Sequence, residues 1–260
     1  MLIKCRERSS HSLDPRMNLI LLEPHEVGAS GEAVLSDARA AHLRNVLKSA
    51  PGSHVRIGLL DGPRGVGTVL SIGDGTAALR CAFETSVPSR PGVDLLLALP
   101  RPKVIRRIWA QVAAIGVGQI ILTHAERVER NYFDTHWLAP ESYRPRLIEG
   151  LQQARDTRLP AVSIHRRFKV LIEDQLDGLF KDGRRLAADP AAEKPAGAAA
   201  REGGEGRVLL AVGPEGGWND FERGLLAAHG FQPVGMGPRT LRTDTACIAL
   251  LALVHEGMKG

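Results

Sequence analysis

The sequence predicts an α/β protein of two domains, a small β-barrel followed by a larger domain built on a parallel sheet. Three observations predict it. Short strands separated by turn signals crowd residues 17–90. From Val93 onward apolar strands alternate with helical segments. Near the end, two strand–glycine–helix turns follow one another closely.

In the first domain, Ser36 is a candidate N-cap for a helix over 37–49, with Ala38, Ala41, Val46 and Leu47 as its expected buried stripe. Pro51-Gly52 ends it. Strands are predicted over 55–60, 67–72 and 77–83, with Asp61-Gly62 and Asp74-Gly75 as turns. Such short, evenly spaced strands suit a small barrel. Residues 87–92 (VPSRPG) are a linker by composition.

The second domain, 93–258, opens with an apolar strand over 95–99. Pro102 starts a helix running to about Ile115, with Ile105, Ile108, Trp109 and Val112 on one stripe and a glycine cap at 116–118. A strand over 119–123, a helix over 141–155, a strand over 161–164 and a helix over 167–176 follow. This alternation argues for a parallel sheet with helices on both faces. Residues 190–206 (PAAEKPAGAAAREGGEG) are low in complexity and expected to form a mobile surface loop.

With 260 residues, 43% hydrophobic and 24% charged, the chain has globular composition. Its longest apolar run, nine residues from Ala246 to Val254, is too short to span a bilayer. Residues 1–16 lack the apolar stretch of a secretory signal and read as a flexible extension, with Met17 as a candidate start. Three cysteines (Cys5, Cys81, Cys247) have no metal-ligand spacing and an odd count, which suits structural thiols in a reducing cytoplasm. A net charge of +5 permits an acidic partner without requiring one.

The most informative segments are Ala211-Val-Gly-Pro-Glu-Gly-Gly-Trp218 and Met236-Gly-Pro-Arg-Thr-Leu-Arg-Thr-Asp-Thr-Ala246. The first closes an apolar strand (208–212) and enters a helix near Asn219. The second closes another strand at Gly237-Pro238 and enters a helix that turns apolar from Cys247. Glycine lets a ligand approach the backbone, and free amides at a helix start suit an acceptor-rich one. Neither segment is a P-loop or a dinucleotide fingerprint. Each also has a plainer reading as a tight connection, and Glu215 can simply satisfy local amides.

Arg101, Lys103, Arg106 and Arg107 crowd a helix start, where cations are unfavourable unless an anion balances them. With His42, Arg44, Lys48 and Arg56 they form a candidate RNA footprint; a solvated helix face is the alternative. Arg239, Arg242 and Asp244 flank the last helix, either as a terminal salt bridge or as groups that polarise a base. Glu126, Arg127 and Arg130 follow a strand, and Gln152, Gln153 and Arg155 end a helix; both sets can line a crevice or cap structure.

In order, these motifs resemble the RsmE family of SPOUT-class methyltransferases, over Met17 to about Glu256. The resemblance rests on His42-Leu-Arg-Asn-Val-Leu47 with Asp61-Gly62, Gly116-Val117, Glu126-Arg127, GPEGG (213–217) and the 237–246 segment. It implies methylation of N3 of a uridine in 16S ribosomal RNA, a PUA-like RNA-binding barrel over 17–90, a SPOUT-like trefoil-knotted domain over 93–258, and a homodimer. It further implies S-adenosylmethionine as cofactor, held by Leu99, Val212, Gly213, Pro214, Gly216, Gly217, Met236, Gly237, Leu241, Arg242, Thr245 and Ala246. Asp244 becomes the candidate base and Arg242 the candidate stabiliser of the ionised uridine. No metal is implied.

The chain departs from the family pattern in three places. Val112 and Ala114-Ile115 replace a Lys and a Thr-Glu pair. Thr240 and Asp244 replace Ile and Glu. Gln152-Gln153 replaces Glu-Gln. These leave two alternatives open: a methyltransferase acting on another base, or an RNA-binding relic without turnover. The apolar last helix is the candidate dimer surface.

Overall fold

The computed structural model describes residues 18–202, 206–239 and 241–259. The expected N-terminal extension, Met17, Cys5 and Thr240 lie outside the described residues. The chain divides into two compact units: Met1–Pro88 with Arg155–Thr157, and Ser89–Ala154 with Arg158–Gly260.

The first unit holds strands β1 (Ile20–Leu22), β2 (Glu32–Leu35), β3 (His54–Leu59), β4 (Arg64–Ile72) and β5 (Ala77–Phe83), with helix α1 (Ala38–Asn45). They form a curled mixed sheet in the order β1-β3-β4-β5-β2, parallel only between β1 and β3. Leu22, Leu35, Leu43, Val55, Ile57 and Leu79 fill its core. The turns form where expected, with Asp61 and Gly75 both at positive φ. Thr157 is buried here, its hydroxyl donating to the Gly62 carbonyl (2.6 Å) while its own carbonyl accepts from the Asp61 amide (2.7 Å).

The predicted stripe of α1 is corrected. Asp37, not Ser36, caps the helix, accepting from the Arg39 amide. Ala40 and Leu43 face the core, while Ala38 and Ala41 are exposed and Val46 is 64% exposed. The helix ends at Asn45, so Val46 and Leu47 leave its face; Leu47 still packs partly on the core.

The second unit carries a wholly parallel sheet of β6 (Val93–Ala98), β7 (Gln119–Thr123), β8 (Ala161–His165), β9 (Arg184–Ala188), β10 (Val208–Val212) and β11 (Phe231–Val234), in the order β11-β9-β10-β6-β7-β8. β6 and β10 are buried along their whole length, as central parallel strands covered on both faces must be. Pro233 lacks an amide donor and sits in an edge strand, β11, where that lack is tolerated.

The helices are α2 (Pro102–Ile115), α3 (Pro140–Ala154), α4 (Phe168–Val170), continued through a π-helical segment (Leu171–Gln175) into α5 (Leu176–Leu179), α6 (Ala196–Arg201), α7 (Asp220–Ala228) and α8 (Thr243–Gly257). α2 matches its predicted span, and Ile105, Ile108, Trp109 and Val112 are fully buried. Gly116 at φ 93° ends it. Trp109 donates from Nε1 to the Trp137 carbonyl (3.0 Å) and packs on Tyr143.

One expectation fails here, and one strand was not anticipated. First, 190–206 is not one mobile loop. Residues 196–201 form α6, whose Ala196, Ala199 and Ala200 are buried, and 203–205 lie outside the described residues. Alanines give no apolar periodicity to read, yet their small side chains let α6 lie close against α8. Second, β9 lacks the β-branched and aromatic residues that announce a strand. It forms because β10 and β11 pair with it from both sides.

The α6–α8 approach is testable. A Cβ on Gly257 would lie 2.2 Å from the Gly197 carbonyl oxygen. Gly257→Ala should therefore cost about 1–3 kcal/mol in denaturant unfolding, the usual penalty for overpacking. A mobile 196–201 segment would instead leave the midpoint unchanged or raised, because Ala favours helix over Gly.

Candidate functional site

Ala188, Val212 and Val234, the last residues of β9, β10 and β11, all open onto one pocket of about 100 Å³. Ligands of open α/β sheets lie at the carboxyl ends of strands. Its walls are mostly apolar, including Leu241, Ala246 and Leu250, with Asp189, Glu215, Arg239 and Thr243 at polar positions.

The two glycine motifs build this pocket. After β10 the chain turns through Gly213-Pro214, with the Gly217 amide donating to the Pro214 carbonyl (2.8 Å). Trp218 is buried and stacks on Phe168, anchoring the loop beneath. Asn219 then caps α7 in a reciprocal capping box with Glu222. Buried Glu222 also accepts from the Glu126 amide (2.7 Å), and Arg127 donates to the Gly216 carbonyl. Gly217 (φ 71°) and Gly237 (φ 108°) take conformations that favour glycine, and a Cβ on either meets no atom within 4 Å. Their backbones therefore border open space that a ligand can fill.

Of the expected cofactor residues, Val212, Gly213, Pro214, Gly217, Met236, Gly237, Leu241 and Ala246 line the pocket. Leu99, Gly216, Arg242 and Thr245 do not. Leu99 is fully buried, and its amide donates to the Thr123 carbonyl (2.8 Å). Gly216 turns outward under Arg127, and Arg242 and Thr245 are exposed. The sequence reading missed Asp189 and Pro190 because it missed β9; Asp-Pro after an alanine pair is the turn signal that marks that strand's end.

A second cavity, about 340 Å³, is lined by Arg101, Val104, Arg107, Glu215, Arg242, Thr243 and Asp244. It gathers Arg101 and Arg107 with both expected catalytic residues, Arg242 and Asp244. The Arg107 guanidinium donates to Asp244 at 2.5 Å and holds that carboxyl below its ordinary range. A carboxylate paired in this way is a weaker proton acceptor, so the geometry gives Asp244 the work of orienting Arg107 and speaks against it as the base. Glu215, by contrast, makes no hydrogen bond or ion pair among the described residues.

The basic residues separate into distinct settings. Lys103, Arg106 and Arg107 line a groove between α2 and α3 with Trp137 and Arg146, and Arg106 lies over the Trp137 ring at 5.1 Å. Arg44 is paired with Asp74 (2.7 Å), and Lys48 is exposed at φ 47°. Among the crevice candidates, Arg127 braces the GPEGG loop and Arg130 borders a separate cavity with His124, Phe133 and Arg166. Arg155 belongs to the first unit, and Gln153 is exposed. Val112 is fully buried in the α2 core stripe, so that departure is a packing difference. Cys247 is buried, and desolvation pushes its thiol up to about 12, which suits a structural role. The last helix spends most of its apolar face inside its own chain: Cys247, Leu250, Leu251 and Val254 are buried, while Leu253 is 40% exposed and Ile248 intermediate. Ile248, Ala249, Ala252 and Leu253 leave an apolar strip of the helix partly or fully exposed.

Comparison with known proteins bears on this geometry. Residues 88–255 match the model of the RNA methyltransferase domain family. The chain is 33% identical, over 92% of its length and 90% of the relative's, to ribosomal RNA small subunit methyltransferase E of Treponema pallidum. It is 27% identical to the Borreliella burgdorferi protein named ribosomal RNA small subunit methyltransferase E 1, over 90% of this chain and 95% of that one. The fold matches the crystal structure of the Neisseria gonorrhoeae small subunit methyltransferase E bound to S-adenosyl methionine, with a TM-score of 0.74 at 19% identity, covering 93% of this chain and 98% of that one.

The Arg107–Asp244 pair sets a pH expectation. Because the folded carboxyl titrates below its ordinary 3.8, the pair's contribution is fully present at neutral pH and lost as pH falls through the lowered value. With Arg107 half exposed, that contribution is about 0.2–1 kcal/mol. Arg107→Ala should raise the Asp244 titration measured by carboxyl NMR toward its ordinary value; an unmoved titration would refute the pairing.

Proposed function

The chain belongs to the RNA methyltransferase family, and from that premise we propose that it methylates N3 of a uridine in 16S ribosomal RNA, with S-adenosylmethionine as methyl donor. One observation carries the reading: the glycine-bordered pocket where β9, β10 and β11 end has the apolar walls and open backbone that an adenosine-bearing ligand needs. Leu241 and Leu250 offer walls to a purine, the backbones at Gly217 and Gly237 allow close approach, and Asp189 and Arg239 supply polar partners. When bound there, the cofactor supplies a methyl group on a positively charged sulfur.

This chain's own residues then have two tasks. The pocket must hold the donor in line with the attacking nitrogen, since positioning supplies much of such a displacement. The uridine must lose its N3 proton, and the anion left on the ring needs cations near its oxygens. Arg242 and Arg107, both in the second cavity, are suited to that.

The finer features of the reading have support of the same kind. The strand order, with β10 lying between β9 and β6, suits a trefoil-knotted SPOUT domain. The curled mixed sheet of the first unit suits a PUA-like barrel for RNA. A homodimer and a cytoplasmic location follow from the family and the substrate. A binding-only relic is the weaker reading, because the altered Val112 is a core residue and the cofactor loops are intact.

Purified protein incubated with small ribosomal subunits and labelled S-adenosylmethionine should yield 3-methyluridine in nucleoside digests. Gly217→Val puts a side chain where the ligand needs backbone and should abolish cofactor binding by calorimetry; unchanged affinity would remove the pocket assignment. Arg242→Ala should lower turnover about a hundred- to thousandfold with cofactor affinity kept, as expected for loss of one donor to a developing anion. The pair of changes Lys103→Ala and Arg106→Ala should flatten the salt dependence of RNA affinity by about one to two in logarithmic slope; an unaltered slope would make the groove ordinary solvated surface.

A further inference from the structure

We propose that the cavity lined by Arg101, Arg107 and Arg242 is the acceptor-nucleotide pocket, and that Glu215 is the group that takes the uridine N3 proton. The inference rests on the methyltransferase reading above and concerns which residue performs the proton transfer.

Two cavities lie side by side at the ends of β10 and β11. One is the glycine-bordered pocket assigned to the methyl donor. The other is walled by three arginines and the aliphatic Val104, a combination that suits a planar base carrying negative charge and a nearby phosphate. Among the described residues, only Glu215 and Thr243 line both. In a direct transfer the nitrogen and the methyl carbon must meet where the two ligands approach each other, so a group acting on the attacking nitrogen belongs to that shared wall. Thr243 is buried at the first position of α8 and does not titrate near neutral pH. Glu215 is exposed to both cavities and makes no hydrogen bond or ion pair among the described residues. Asp244 faces only the second cavity and is held by Arg107.

The step balances without a further reactant. The N3–H proton passes to the Glu215 carboxylate, and the N3 lone pair forms the bond to the methyl carbon. The carbon–sulfur bond breaks, and its electron pair stays on sulfur, which leaves neutral. The charged groups that line its two cavities with Glu215 are Arg101 just before α2 and Arg107 within it, Arg242 and Asp244 at the start of α8, and Asp189 and Arg239 in the donor pocket. The arginines stabilise the ring anion, and none of them is paired with Glu215 among the described residues. The motif also explains its glutamate: it stands between two ligands, on a loop whose glycines keep both approaches open.

The test compares wild type, Glu215→Gln and Asp244→Asn on small ribosomal subunits across pH, with S-adenosylmethionine affinity from calorimetry. Glu215→Gln should bind the cofactor as wild type does and methylate at least about a hundredfold more slowly, the usual range for loss of a general base. Its rate should recover at alkaline pH, where hydroxide removes the imide proton. Asp244→Asn should keep the larger share of activity. Glu215→Gln activity within a few fold of wild type would overturn the proposal while leaving the methyltransferase reading intact. Lost cofactor affinity in Glu215→Gln would overturn it by giving Glu215 to the donor. A wild type that forms no 3-methyluridine would overturn both.

Discussion

The parallel register of β9, β10 and β11 is the constraint on which the site depends. Val208 pairs with Arg184 and Phe231 with Arg185, so the three strands end at one level, at Ala188, Val212 and Val234. A parallel sheet sets this level through its ladder of backbone hydrogen bonds, and burial of β10 along its whole length fixes the register against slippage. Each strand then releases its chain into the same space. The glycines after β10 and β11 convert that shared ending into a cavity, because they let the backbone itself form the wall.

Packing around this edge holds the loops still. Buried Trp218 and the Asn219–Glu222 capping box fix the exit from GPEGG, and Arg127 ties Gly216 from outside. The bridge between Pro195 and Gly235 starts α6 beside the end of β11, and α6 in turn lies on α8, the helix whose first turn carries Thr243 and Asp244. Electrostatics act on top of this frame. Four basic residues at the start of α2 repel its positive end, and the structure balances one of them, Arg107, with Asp244. The remaining positive charge is available to an anionic ligand.

Much of this was legible in the sequence, for identifiable reasons. Ile105, Ile108, Trp109 and Val112 recur at helical spacing between Pro102 and Gly116, so α2 could be read end to end. β10 is a short, wholly apolar run and β7 an apolar Ile-Ile-Leu centre between Gln119 and Thr123, and both matched their predicted spans. Legibility failed where the signal is made by the fold. β9 reads as Arg-Arg-Leu-Ala-Ala, which announces no strand until neighbours pair with it. α6 is Ala-Gly-Ala-Ala-Ala-Arg, which looks like low-complexity sequence until α8 packs on it.

The candidate site divides the same way. Glycines at 217 and 237 mark the pocket directly, because their positive φ is legible as a glycine requirement and leaves open space beside the backbone. Which carboxylate lines both cavities depends on the fold, and the motif pointed to Asp244 as the base, with Glu215 read only as a partner for local amides, until Arg107, 137 residues away in sequence, proved to hold Asp244. The central claim is methylation at N3 of a small-subunit uridine. It is tested most directly by mass spectrometry of 16S ribosomal RNA nucleosides from cells with and without this gene. The account predicts 3-methyluridine in the first and its loss in the second, restored by the wild-type gene; unchanged 3-methyluridine in the cells without the gene would contradict it.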